Sequence, residues 1–220
     1  MPHASWFVPS NSASSISTTS SPTMNKLLAR VGAALVISQV LLFILSWLLS
    51  AMRLEGVRSL LSSEGIRWFF GAFADNVASP WLVSLLLVLI ALGTLQQTGL
   101  LTIHYSLFTI HYRNRVALRV SLIVMALFAL VIALLTLPPH AILLSATGEL
   151  FPSAFSRSLL PIITFGVSLF AVVFGMMSGR LKTLSDILEA LSVGIAKGAP
   201  LIVVAILLIQ FLASLAFVFG

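Results

Sequence analysis

The sequence predicts an all-α fold: a polytopic membrane protein of about five transmembrane helices with two amphipathic interfacial helices. Three observations predict it. Only 8% of the 220 residues are charged and 59% are hydrophobic, whereas soluble domains carry about 25% charged residues. So few charges cannot solvate a surface of this size, so most of it must face lipid. Apolar runs of about 20 residues recur, the length that crosses a hydrocarbon core of about 30 Å. Between them lie two connections with a helical apolar period on one face and charge on the other.

Residues 1–23 are rich in Ser and Thr and show no apolar period, so they read as a disordered extension. Met24, followed by Asn25, Lys26 and an apolar run, has the look of a translation start. The expectation is that the first 23 residues are not translated and that 24–220 form one helical domain. The five spans are expected at 29–50, 80–101, 117–138, 158–178 and 200–219. A helix satisfies its own backbone polar groups, which is why helices are the natural solution in lipid.

The positive charges suggest an orientation. With the N-terminus inside, Lys26, Arg30, Arg113, Arg115, Arg119, Arg180, Lys182 and Lys197 lie on the inner side. Arg53, Arg58, Arg67 and Arg157 lie outside. The inner excess favours the N-terminus in the cytoplasm and the C-terminus outside, in an inner (cytoplasmic) membrane. The net charge of +6 then reflects inner loops rather than nucleic-acid binding. With no cysteine, disulfides and thiolate chemistry are excluded.

The first amphipathic connection covers 62–75. Ile66, Phe69, Phe70 and Phe73 share one face, Ser62 is placed to cap the start, and Glu64 falls in the first turn. Glu64 and Arg67 are three apart and are expected to pair. Asp75 finds no role in this scheme. The second connection, 180–197, puts Leu181, Leu184, Leu188, Leu191 and Ile195 on one face and Lys182, Asp186 and Glu189 on the other. It is expected to lie along the inner surface.

Polar side chains inside spans are the candidates for function, because lipid makes them costly. They are Gln39, Gln96, Gln97 and Gln210. Two readings stand: hydrogen bonding between helices, worth about 1 kcal/mol, or contact with a substrate or ion. No charged residue sits at the centre of any span, which argues against a carboxylate proton relay. His104 and His111 share a helix face, and Tyr105 and Tyr112 repeat with them. Seven residues apart on one helix, they fit an interfacial belt better than a haem or metal ligand pair. Gly93, Gly99, Gly166, Gly175 and Gly179 permit close helix approach or bending. Pro161 falls in the first turn of span four, and Pro138-Pro139 ends span three. No phosphate-binding glycine loop and no catalytic triad or carboxylate pair appears, so an enzyme is not expected. The sequence calls for no cofactor and no metal.

The stretch LLSSEGIRWFF, with Asn76 and then a span ending ALGTLQQTGL, resembles the p-aminobenzoyl-glutamate transporter (AbgT-like) family. Glu64, Gly65, Ile66, Arg67 and Trp68 match its motif after the first span. Thr98-Gly99-Leu100 stands where the family has Ser-Gly-Leu, and Gln96 or Gln97 stands where it has an acid. Residues 137–165 and 174–215 are similar to later family segments, with Gln210-Phe211 at a Gln-Phe pair. The resemblance implies an inner-membrane transporter for small organic anions of the p-aminobenzoyl-glutamate type, working as a homo-oligomer. Gln96, Gln97 and Gln210 would line the path, and the coupling ion, Na+ or H+, stays open. The family's re-entrant hairpins are not found, so this is expected to be a shortened member. The alternative is a non-transporting scaffold or regulatory subunit of that lineage.

Overall fold

The computed structural model describes residues 22–54, 56–100, 112–136 and 154–220. Its elements are α1 (Pro22–Ala51), α2 (Ser63–Gly71), α3 (Phe73–Val77), α4 (Pro80–Gln97), α5 (Tyr112–Thr136), α6 (Ala154–Ser178) and α7 (Leu184–Phe219). All are helices, and five are long and apolar enough to cross a membrane. The expected spans are therefore present, each inside one of these helices or within a few residues of its end. The His104/His111 pair, Pro138-Pro139 and residues 1–21 of the expected extension lie outside the described residues. Pro22 and Thr23 belong to α1.

The second connection differs from expectation in one respect. It is helical, but it does not stop before the fifth span. α7 runs unbroken for 36 residues, about 54 Å at 1.5 Å per residue. That exceeds the hydrocarbon core, so its first turns stand outside the bilayer. Pro200 lies inside this helix, where a start was expected. Proline forfeits one backbone bond, and helices in membranes tolerate that when neighbouring groups compensate. Thr183 and Asp186 close the start as a capping box: Thr183 Oγ1 accepts from Asp186 N–H at 3.2 Å, and Asp186 Oδ2 accepts from Thr183 N–H at 2.9 Å. Pro161 is likewise interior, because α6 begins at Ala154.

The direction of each helix follows from its contacts. Gly32 faces Val204, Gln39 bonds Ser214, and Leu42 shares a core with Val218. Numbers rise together, so α1 and α7 are parallel. Leu89 packs on Gly198 and Gly93 on Gly194, so α4 and α7 are antiparallel. The α4–α7 crossing is backbone on backbone. A Cβ on Gly93 would overlap the Gly194 backbone, and one on Gly194 would overlap the Leu89 carbonyl. Gly194 and Gly198 form the small-xxx-small spacing that membrane helices use for close approach. α5 packs on α6 through Phe128 and Phe165, with ring centroids 5.7 Å apart.

The ends of the helices sort the charges. At one end Arg180 donates to the Thr98 carbonyl just past the C-terminus of α4. The Arg113 guanidinium lies against Gly179, just past α6. Both arginines sit where helix carbonyls are unpaired and the dipole favours a cation. Gly99 (φ 66) and Gly179 (φ 73) supply the left-handed residues that end these two helices. Lys26, Lys182 and Lys197 share this end, while Arg53, Arg58 and Arg67 lie at the other.

That other end is closed by α2 and the loop before it. Arg58 N–H donates to the Val218 carbonyl at 2.9 Å, and Leu60 N–H to Ser46 Oγ at 3.1 Å. Ser62 caps α2 as expected, accepting from Gly65 N–H at 3.0 Å. Gly65 is buried so tightly on Leu60 that a Cβ would lie 2.6 Å from the Leu60 Cα. Trp68 stacks on Phe217 at 4.4 Å, and Phe69 meets Phe43 edge-on at 5.0 Å. The side of α2 that packs inward is thus Gly65, Trp68 and Phe69, while Phe70 is 75% exposed. The expected Glu64–Arg67 ion pair does not form: both side chains are exposed, and among the described residues no ion pair joins them. Exposed pairs gain about 0–1 kcal/mol and pay side-chain entropy for it. Asp75 falls in the first turn of α3, where the helix dipole accommodates a carboxylate.

Candidate functional site

Most hydroxyls within the spans are satisfied by their own helix. Thr94 donates to the Ile90 carbonyl at 2.7 Å, Ser121 to Ala117 at 2.8 Å and Thr164 to Leu160 at 2.8 Å. Glutamine is too long to favour that return, so a buried glutamine must look across to another element. Gln39 and Gln210 do so.

Gln210 lies on α7 and is 5% exposed. One turn later Ser214 donates its hydroxyl to the Gln210 carbonyl at 2.8 Å. That fixes the Ser214 hydrogen, so its oxygen accepts, and Gln39 Nε2 of α1 donates to it at 3.1 Å. The Gln39 amide is thereby oriented, with Oε1 pointing away from Ser214. From α3, Asn76 Nδ2 makes a long hydrogen bond of 3.4 Å to Gln210 Oε1. Among the described residues, two buried side-chain atoms remain without partners: Gln39 Oε1 and Gln210 Nε2. Leaving a buried polar group unmade costs about 1–3 kcal/mol.

Both glutamines line a cavity of about 250 Å³ between α1, α2, α3 and α7. Phe43, Phe69 and Phe73 supply its aromatic walls, and Val36 and Leu207 its aliphatic ones. None of its lining residues is charged. The sequence pointed to Gln39 and Gln210 as polar groups in spans. It could not show that Asn76 and Ser214 join them, because those contacts span 134 and 175 residues.

Gln96 occupies a different place. It accepts from Lys197 Nζ at 3.3 Å beside a cavity of about 230 Å³, whose floor is Gly93, Gly194 and Gly198. Lys197 and Gln210 are thirteen residues apart on α7, which is about 20 Å along the helix. Gln97 is exposed at the end of α4. The three glutamines expected to line the path, Gln96, Gln97 and Gln210, therefore do not converge on one cavity. Of the motif residues, Gly65 and Trp68 pack the cap, whereas Glu64 and Arg67 face outward. Among the described residues, no cluster of three or more His, Cys, Asp or Glu side chains could hold a metal.

Neither a search of curated proteins nor one of solved structures gives a significant match. A family model does match, over residues 104–218. The matched region covers α5, α6 and nearly all of α7, including Gln210 and Ser214; it leaves α1, α2 and the motif at 64–68 outside. On that match across more than half of its length, the chain belongs to the AbgT transporter family.

Proposed function

We propose that the chain is an AbgT-type transporter of the inner membrane, moving small organic anions of the p-aminobenzoyl-glutamate type. The observation that carries this reading is the family match, joined to a buried amide on α7 left with an unmade hydrogen bond. Gln210 would contact the substrate. Gln96, with Lys197 beside it, would meet an anionic group at the other end of the helix, and Gln97 would lie at the mouth. The protein works as a homo-oligomer with its N-terminus inside and C-terminus outside. Coupling is to Na+ or H+.

A second reading is a non-transporting scaffold or regulatory subunit. It draws on the Gly93–Gly194 crossing, where α4 and α7 meet at backbone range with little freedom to slide. Uptake of labelled p-aminobenzoyl-glutamate into proteoliposomes, with and without a sodium gradient, separates the two. The transporter reading expects uptake above empty liposomes. It expects Gln210→Ala to lower uptake about fivefold, the value of one neutral hydrogen bond of about 1 kcal/mol, with expression and folding unchanged. No uptake by folded wild-type protein turns the assignment to the scaffold.

A further inference from the structure

We infer that the cavity over the α4–α7 crossing binds one anionic phospholipid, by the phosphate of its headgroup and the start of its acyl chain. The inference goes beyond transport and does not depend on it. It names the anionic group that Gln96 and Lys197 meet. The register of the crossing sets the depth of Lys197. Leu89 packs on Gly198 and Gly93 on Gly194, so the Lys197 backbone lies level with Ile90. Gln96 is six residues further along α4, about 9 Å nearer its C-terminal end. Lys197 Nζ nevertheless donates to Gln96 Oε1 at 3.3 Å. The lysine stem therefore runs along the crossing and carries the ammonium back to the helix end, as a lysine does when its backbone lies in lipid.

The wall of the cavity changes character along α4. Leu89 and Leu92 stand toward the middle of the span, and Gln96 with the Lys197 ammonium stands at its end. Leu92 is 46% exposed, so the apolar part opens outward from the helix pair. The floor is glycine, which adds no side chain to fill the space of about 230 Å³. Polar head at the helix end and apolar wall toward mid-span is the order of a phospholipid standing in its own leaflet. The charges agree. Among the described residues no carboxylate pairs with Lys197. Gln96 gives its oxygen to Lys197, which leaves its amide N–H groups to donate. Ammonium and amide together present donors to a phosphate oxygen, and the ammonium makes that bond charge-assisted. The ammonium of a zwitterionic headgroup would meet no acid here and would be repelled by Lys197. Arg180, on the Thr98 carbonyl, adds positive charge to the same end, and basic pockets between membrane helices hold anionic headgroups.

The test is native mass spectrometry of the full chain released from detergent, titrated with phosphatidylglycerol and with phosphatidylcholine of the same acyl chains. One phosphatidylglycerol per chain is expected, bound about fivefold tighter than phosphatidylcholine, the effect of one lysine beside an anionic lipid. Lys197→Gln should abolish that preference. Lys182→Gln removes an equal charge from the same end but outside the cavity, and should keep it. Equal binding of the two lipids to wild-type protein overturns the inference. An equal loss of preference in Lys182→Gln and Lys197→Gln also overturns it, and reduces the effect to diffuse surface charge. Glycerol phosphate carries the head without the tail and should not displace the lipid. Displacement at equal concentration would make this a site for a free oxyanion and overturn the lipid assignment. Should Lys197→Gln fail to fold, the two-lipid and glycerol phosphate comparisons on wild-type protein still decide. Lipid preference without uptake would sink transport alone, and uptake without lipid preference would sink this site alone.

Discussion

Single residues divide sharply by what surrounds them. Gly194 meets the Leu89 carbonyl with no room for a Cβ, whereas Gly71 has nothing within 4 Å. Gly194→Val therefore forces α4 and α7 apart. Overpacking costs about 1–3 kcal/mol where side chains give way, and a backbone carbonyl gives way less. Thermal unfolding in detergent should show a loss of about 3 kcal/mol or outright failure to fold, with Gly71→Ala within about 0.5 kcal/mol of wild type. Gly194-x-x-x-Gly198 is a spacing that the sequence reading passed over, although it named Gly93, which Gly194 meets. Gln210 was legible, as an amide in mid-span. Its neighbours were not: Ser214 reads as one more small residue in an apolar helix until α1 is laid beside it.

At the scale of the element, the spans were legible because hydropathy and length suffice to place a helix in lipid. Their ends were less so. Pro200 looked like the first residue of a span because proline suits a helix start. Local sequence cannot tell that position from an interior proline whose helix is held by packing on α4. The cap of α2 was legible as Ser62, and its partner is the Gly65 N–H three residues on. The Glu64–Arg67 pair had the right spacing but gained nothing from forming in water. The true start of α7 is its capping box at Thr183, which the sequence reading passed over. Thr183→Ala should cost about 1 kcal/mol. It should show as faster amide hydrogen exchange in the first turns of α7, with exchange around Gln210 unchanged.

Across the whole molecule, the two charged ends make the orientation testable in a chain that has no native cysteine. Glu64 and Lys182 are both exposed and lie at opposite ends. In intact cells with a permeabilised outer barrier, Glu64→Cys should react with a membrane-impermeant maleimide. Lys182→Cys should react only after lysis. The reverse pattern would invert the assigned topology, and labelling of both before lysis would show that the two ends share one side.

α1 and α3 pack substantially on α7, whereas α5 packs on α6 and α6 on α4; α4 reaches the first group chiefly through α7. The helix that joins the two groups follows all the others in the chain. During synthesis, which proceeds from the N-terminus, α1 is made long before the helix it packs on. Until α7 arrives, Gln39 has no Ser214 to bond and the Arg58 backbone has no Val218 carbonyl. The nascent protein thus holds an unpaired amide in the bilayer and an unsealed cap beside α2 through most of its assembly, and a stop before α7 leaves two loosely related helix groups rather than a smaller version of the fold.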